Sequence, residues 1–296
     1  MMKGIDVSKH NGTIDWKKVR ADGIEFAILR AGYGKYDNQK DEKFEENYDA
    51  AKKAGIKLGA YIYSYAKSTD DAKKEAQTFL KWLSGKKFEM PVIFDIEEKS
   101  QSDKGKEFVS QLIKTFCGEM EKAGYYIGVY SSKHWFDRFI DDECKNKYDC
   151  WVAQWSKENT YKGKYGMWQY SATGKVNGIR GSVDMNEAYK DYPAIIKSGG
   201  FNGCKANSDS KPAIDKPPTQ TSKPDFVKGQ KITLKNTPVY ISAYTKKLSV
   251  RKSGAYYIYD GILINSRFRI TNKPKRAGKK PLFKNVTGYV NKSDIT

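Results

Sequence analysis

Through the first 200 residues, short apolar runs alternate with longer amphipathic ones, and this alternation constrains the fold more than any other feature. "KGIDVS" (3–8) precedes "DWKKVRADG", "FAILRAG" (26–32) precedes "EKFEENYDAAKKAG", and "KLGAYIYS" (57–64) precedes "DDAKKEAQTFLKWL". "PVIFDIE" is then followed by "GKEFVSQLIKTFCGEMEKAG", and "YIGVYSS" (126–132) by "KHWFDRFI". The first kind of run has the composition of a buried strand, the second the period of a helix with one apolar face. Gly23, Gly55 and Gly124 close three of the helical runs, where a left-handed C-terminal residue is favoured. Repeated βα units imply a parallel sheet with helices outside it. "CWVAQWS" (150–156), "YGMWQYS" (165–171) and "RGSVDMNEAY" (180–189) are strand-like but lack full helices between them. The expected fold class is therefore α/β, an irregular (β/α) TIM-like barrel with an incomplete closing half. An open doubly wound sheet is the competing topology.

The rhythm stops at "KANSDSKPAIDKPPTQTSKPD" (205–225), which holds four of the nine prolines and almost nothing apolar. Such a segment cannot bury a core. We expect a barrel over 1–200, a Pro/Lys/Ser-rich linker over 201–225, and a small all-β barrel-like domain over 226–296. In the last, Asp260-Gly261 lies between apolar runs and has the composition of a two-residue hairpin turn. Charge divides the chain in the same place. From Phe201 onward there are 20 Lys and Arg against 5 Asp and Glu, a net +15, which leaves +4 for the first 200 residues. A tail of that kind expects a polyanionic partner, whether wall phosphate polymer, nucleic acid or acidic lipid.

No apolar stretch is long enough to span a membrane, so no membrane insertion is expected. The opening "MMKGIDVSKHNG" lacks the apolar core of a secretory signal, so synthesis in the cytoplasm without a signal peptide is the expectation. Four cysteines (117, 144, 150, 204) include no CxxC pair, although Cys144 and Cys150 are close enough in sequence to bridge. With only His10 and His134, chemistry that needs a histidine base or a His-rich metal site has little material.

In a parallel barrel, functional side chains collect at the C-terminal ends of the strands. Those ends carry Asp6, Tyr61 and Tyr63, Asp95 and Glu97, Tyr130, Gln154 and Trp155, Gln169 and Tyr170, and Asp184, with Arg30 and Trp168 nearby. Asp95 and Glu97 follow the buried run Val92-Ile93-Phe94 and share one face. Two acids side by side at a sheet's edge are costly unless used or paired. Glycoside hydrolysis needs such a pair, one acid protonated to donate to the leaving oxygen and one ionised to stabilise the anomeric carbon. Tyr and Trp faces suit sugar rings. The same acids would also suit ion pairs to Arg30, or an oxygen-ligated Mg²⁺ or Ca²⁺ site. Asp6 alone reads equally well as a helix cap. His10 suits a turn as well as a substrate contact.

Taken in order, "KGIDVSKHNGTIDW", "FAILRAGYG", "GAYIYSYA", "PVIFDIEE", "GVYSS", "WVAQW", "MWQYS" and "GSVDMN" resemble the motifs of glycoside hydrolase family 25 muramidases, over residues 3 to about 196. The resemblance implies a flattened (β/α) barrel that works without metal or other cofactor. It implies cleavage of the β-1,4 bond between N-acetylmuramic acid and N-acetylglucosamine in peptidoglycan glycan strands. It places the essential acids at Asp6, Asp95, Glu97 and Asp184, with Glu97 as general acid and a retaining outcome. Asp95 is then either a direct nucleophile or the residue that orients the substrate's own acetamido group. The tail, through "SGAYYIYDG", "RFRIT" and "TGYVN", resembles bacterial Src-homology-3-like wall-binding modules. Its 16 basic and 2 acidic residues suit anionic wall polymers, with wall peptide a second candidate. Enzyme plus wall binder is similar to a phage endolysin, acting on the wall after release or, in a bacterial autolysin, after export. A non-catalytic wall-binding protein is the alternative. Nucleic-acid binding by the tail, with Tyr256, Tyr257 and Phe268 stacking on bases, ranks third and is not expected.

Overall fold

The computed structural model describes residues 1–204, 226–240, 248–264, 267–279 and 286–295. Two compact units divide between Pro212 and Ala213. In the first, eight strands close a barrel in sequence order: β1 (Met2–Val7), β2 (Phe26–Tyr33), β3 (Lys57–Tyr63), β4 (Val92–Asp95), β5 (Ile127–Ser132), β6 (Asp149–Ala153), β7 (Met167–Gly174) and β8 (Val183–Ala188). Helices α1 (Trp16–Ala21), α2 (Phe44–Lys53), α3 (Thr69–Leu83), α4 (Lys99–Ser102), α5 (Gly105–Lys122), α6 (Lys133–Arg138) and α7 (Asp142–Lys147) lie in the connections up to β6, and α8 (Tyr192–Gly199) follows β8. The barrel is thus closed rather than open. Gly23, Gly55 and Gly124 have φ of 87°, 78° and 87° directly after α1, α2 and α5, the left-handed closure their positions implied.

Period-two alternation sorts the strand residues into two cores. Val7, Leu29, Leu58, Ile62, Phe94, Val129 and Val152 face outward and pack under the helices, where Phe94 stacks on Phe116 with ring centres 4.0 Å apart. Phe26, Ile28, Ile93, Tyr130, Trp151, Met167 and Ala188 face inward, and Tyr192 and Ile196 of α8 pack against them. The six pairings from β1 to β7 are parallel. β8 is antiparallel to both of its neighbours, β7 and β1, which makes the closing half a hairpin instead of a βα unit.

The unit does not end at residue 200 as expected. Asn202 is fully buried, donates to the Met90 carbonyl (3.0 Å) and accepts from the Tyr126 amide (2.7 Å). Cys204 contacts the Phe88 carbonyl through Sγ. Residues 201–204 therefore belong to the barrel unit, and the rest of the expected linker, 205–225, lies outside the described residues. All four cysteines are free, so Cys144 and Cys150 are not bridged.

The second unit is a small closed barrel of β9 (Lys231–Tyr240), β10 (Leu248–Ile264), β11 (Arg267–Thr271) and β12 (Gly288–Asn291). Its core gathers Ile232, Leu234, Val239, Ile258, Phe268, Ile270 and Val290. Asp260-Gly261 is not the hairpin turn. It sits inside β10, at a register shift that sets Tyr259 to Ile262 opposite Arg269, and the chain reverses beyond Ile264, which pairs with Arg267. Asp260 forms an ion pair with Arg269, a cross-strand use of a turn-forming residue.

Candidate active site

Strand register builds the site. Asp6 on β1 lies directly opposite Asp184 on β8. Asp95 at the end of β4 has Tyr63 as its neighbour on β3 and Tyr130 on β5, and Tyr130 in turn neighbours Trp151 on β6. With Glu97, Tyr61, Trp155 and Gln169 these residues line an open cavity of about 210 Å³. The side chains interlock. Tyr130 Oη and Trp155 Nε1 both donate to Gln169 Oε1, at 2.9 and 3.0 Å. That fixes the Gln169 amide so that Nε2 donates to Asp6 Oδ2 (2.9 Å). Asn186, fully buried on β8, accepts from Trp151 Nε1 (2.9 Å) and donates to the same Asp6 oxygen (2.7 Å). Asp95 differs: it is buried, and its Oδ1 has no hydrogen-bond partner.

All four acids hold their protons more tightly than free carboxyls do. Burial, then Asp184, raises Asp6 to about 7, against the lowering effect of the Asn186 and Gln169 hydrogen bonds. Burial pushes Asp95 well above its ordinary value, reinforced by Glu97 and Asp6 and opposed by Arg30. Glu97 extends from the rim and is exposed, yet the cleft wall desolvates its carboxyl enough to raise its pKa, with Glu98 and Asp184 adding to the shift. Burial likewise raises Asp184. Crowded carboxyls on one wall share fewer negative charges than their number, so protonated and ionised acids coexist near neutrality. The Tyr61 and Tyr130 phenols are pushed well above their usual range by burial and remain hydrogen-bond donors. Among the described residues, no group of three or more His, Cys, Asp and Glu has the geometry of a metal site.

The family model for glycosyl hydrolases family 25 matches residues 5–179, more than half the chain and every strand of the barrel up to β7. The chain belongs to glycosyl hydrolases family 25. It is 30% identical over 188 residues to the autolytic lysozyme of Clostridium acetobutylicum, covering 63% of this chain and 55% of that protein. It is 29% identical over 200 residues to lysozyme M1 of Streptomyces globisporus, covering 63% and 67%. The chain thus spans little more than half the length of the Clostridium lysozyme. Among solved structures, the CTP1L endolysin superposes with a TM-score of 0.59 at 25% identity, covering 67% of this chain and 70% of that one. A bacterial lysozyme from Streptomyces coelicolor superposes with a TM-score of 0.54 at 27% identity, covering 64% and 92%.

Within this family 25 barrel, nine of the expected residues meet at the cavity: Asp6, Asp95, Glu97, Asp184, Tyr61, Tyr63, Tyr130, Trp155 and Gln169. Arg30, Gln154, Trp168 and Tyr170 do not line it. Arg30 is held by Asp41 (2.7 Å) and reaches Asp95 only through space, which sets aside the alternative of an ion pair with the acids. Gln154 closes its own loop on Thr160 through the amide (2.9 and 3.0 Å). Trp168 and Tyr170 alternate with the inward Gln169, and their rings pack together with centres 5.6 Å apart while Trp168 Nε1 donates to the Gln154 carbonyl (2.8 Å). Trp151 and Asn186 were missed. Both follow from the alternation that places Ala153 and Asp184 inward. Asp6 caps no helix; Ser8 caps the short turn at Lys9–Asn11, in which His10 lies.

Proposed function

We propose that the chain is a peptidoglycan hydrolase, an N-acetylmuramidase that cuts the β-1,4 bond between N-acetylmuramic acid and N-acetylglucosamine. The observation that carries this reading is the Asp95 carboxyl, buried with one oxygen unpartnered on a wall shared with three more acids. Glu97, raised in pKa and open to solvent at the rim, donates its proton to the glycosidic oxygen as the bond from that oxygen to the anomeric carbon breaks. The carbonyl oxygen of the muramic acid 2-acetamido group attacks the anomeric carbon from the opposite face. The free oxygen of Asp95, which is ionised in the form where Glu97 holds the proton, accepts the acetamido N–H and stabilises the positive charge that spreads over the new ring. Glu97, now a carboxylate, takes a proton from water as that water opens the ring, and the anomeric configuration is retained. Asp6 and Asp184 add negative potential, and the hydrogen bonds from Gln169 and Asn186 hold Asp6 in place. Tyr61, Tyr63, Tyr130 and Trp155 provide faces for the sugar rings.

The 226–296 unit holds the enzyme on anionic wall polymers. Its basic excess and the packing of the Arg267 guanidinium 3.5 Å over the Tyr240 ring support a cationic, aromatic binding surface. Relatives named as lysozymes and an endolysin favour action on the wall in bacterial lysis, after release or export. The test is loss of turbidity and release of reducing ends from purified walls by wild type and Glu97→Gln. Wild-type activity absent from the variant supports the reading. Equal clearing by both proteins with no release of reducing ends would return the chain to a non-catalytic wall binder. A substrate lacking the 2-acetamido group, cleaved at an undiminished rate, would make Asp95 the direct nucleophile.

A further inference from the structure

Helix α3 carries a polar stripe that the chemistry above does not use. Asp71, Glu75 and Thr78 fall at i, i+4 and i+7, on one face. Asp71 pairs with Lys35 and accepts from the Lys67 amide (3.2 Å), while Thr78 Oγ1 donates to the Lys35 carbonyl (2.9 Å). Between them Glu75 accepts from the Ser64 hydroxyl on Oε2 (2.7 Å) and from the Tyr65 amide on Oε1 (2.8 Å). One helix face therefore ties down the connection after β2 and the connection after β3. Three tyrosines stand where those connections begin: Tyr33 at the end of β2, Tyr63 at the end of β3 and Tyr65 just beyond it. Tyr65 meets Tyr33 edge-on at 6.0 Å between ring centres and Tyr63 at 5.0 Å. Tyr33 is 36% and Tyr65 48% exposed, and Tyr63 lines the cavity itself.

Glu75 is only 1% exposed, and a carboxylate so buried opposes folding unless its partners require it. Its partners do. Ser64 Oγ already accepts from the Ala66 amide (3.2 Å) and from Gln101 Nε2 (3.1 Å), so the hydroxyl hydrogen is directed at Glu75. Both Glu75 oxygens thus accept from donors, so the ionised carboxylate holds the turn at two points. The Ser64 amide donates to the Asp95 carbonyl (2.9 Å), which makes the same turn continuous with the end of β4.

We propose that Glu75 is a positioning residue for glycan binding: its carboxylate latches the Ser64–Ala66 turn so that Tyr33, Tyr63 and Tyr65 stand as one aromatic wall, against which a sugar ring beyond the scissile bond stacks. This rests on the glycan-hydrolase reading. Glu75 itself touches no substrate. The charged groups facing it are Asp71 on its own helix and Lys35 from the β2–α2 connection, while Ser64 and Gln101 are neutral. Burial raises Glu75 to about 7, so acid protonates it and takes away one of the two acceptors that hold the turn.

The experiment compares full-length wild type, Glu75→Gln, Tyr65→Ala and the double variant on soluble glycan strands, at pH 5.5 and 8. Amide hydrogen exchange of residues 64–66 is followed in the absence of substrate. Glu75→Gln is expected to raise KM about fivefold at pH 8, the loss of roughly one ring contact, with kcat within about twofold. It is expected to speed exchange at Tyr65 and Ala66 about tenfold. The double variant should be no worse than Tyr65→Ala alone, and the KM ratio of variant to wild type should shrink at pH 5.5. In an active wild type, multiplicative KM effects, an effect confined to kcat, or unchanged exchange would overturn the latch alone. No glycan hydrolysis by the wild type would overturn the functional reading and the glycan wall with it.

Discussion

At the scale of single residues, the site depends on which acids are paired and which are not. Glu97 is exposed at the rim, so removing its proton should affect chemistry and not folding. Glu97→Gln is expected to lower kcat by about 10²–10⁴, the usual weight of a general acid, without lowering the melting temperature. Activity assays and thermal melts of the same preparation check both halves. Asp95 should behave oppositely towards stability. Its folded-state pKa lies above its ordinary 3.8, so the stabilisation it contributes is full below that value and is lost as pH rises through the folded-state value. Asp95→Asn should therefore gain on wild type as pH rises, melting about 3–6 °C higher at pH 8 and nearly equal at pH 4, while inactive. A melting temperature at or below wild type at pH 8 would show that the acid cluster is not under electrostatic strain. Asn186→Ala strands the Trp151 indole and one side of Asp6, and should cost about 1–3 kcal/mol in urea unfolding. Asp95 and Glu97 were legible in the sequence because acids set directly after a buried apolar run are costly unless a site uses them. For Asn186 the alternation that turns Asp184 inward gives only its direction, and its bond to Asp6 becomes legible only once β1 and β8 are known to be paired.

At the scale of elements, alternation of strand and helix patterns was enough to predict the barrel and its irregular closure. It could not give the direction of β8, since period-two alternation reads the same along either direction of a strand. The same alternation, applied strictly to β7, would have kept Gln169 and set aside Trp168 and Tyr170. The Asp260-Gly261 hairpin failed for a related reason: turn composition is local, whereas the register shift in β10 is fixed by pairing across the small barrel. Close approach of elements gives a direct test. A side chain at Gly59 would place its Cβ 2.4 Å from the Pro91 carbonyl oxygen and 2.6 Å from Ile28 Cδ1. Gly59→Val should destabilise the barrel by about 3 kcal/mol, read as a lower urea midpoint with an unchanged slope. The segment after α8 gives a second test. A chain ending at Gly200 lacks Asn202, which takes up a left-handed conformation at φ 55° to bond with Met90 and Tyr126. It should unfold at lower urea than a chain ending at Cys204.

At the scale of the whole molecule, the division of charge mirrors the proposed division of labour. The first 200 residues are close to neutral and carry the acid cavity, and the remainder carries +15. Attraction to an anionic wall is screened by salt, whereas bond cleavage within the cavity is not. Binding of the full chain to purified walls should therefore weaken steeply between low and physiological ionic strength, while turnover of soluble glycan fragments changes little. A sedimentation assay run beside a reducing-end assay separates the two. The central claim is narrower: the acids at the mouth of the barrel cut the glycan after muramic acid. Mass spectrometry of borohydride-reduced fragments from purified peptidoglycan, digested by wild type and by Glu97→Gln, tests it most directly. Reduced muramic acid at the fragment ends, from wild type only, is the predicted result. Reduced glucosamine ends, freed peptides, or the same fragments from both proteins would contradict it.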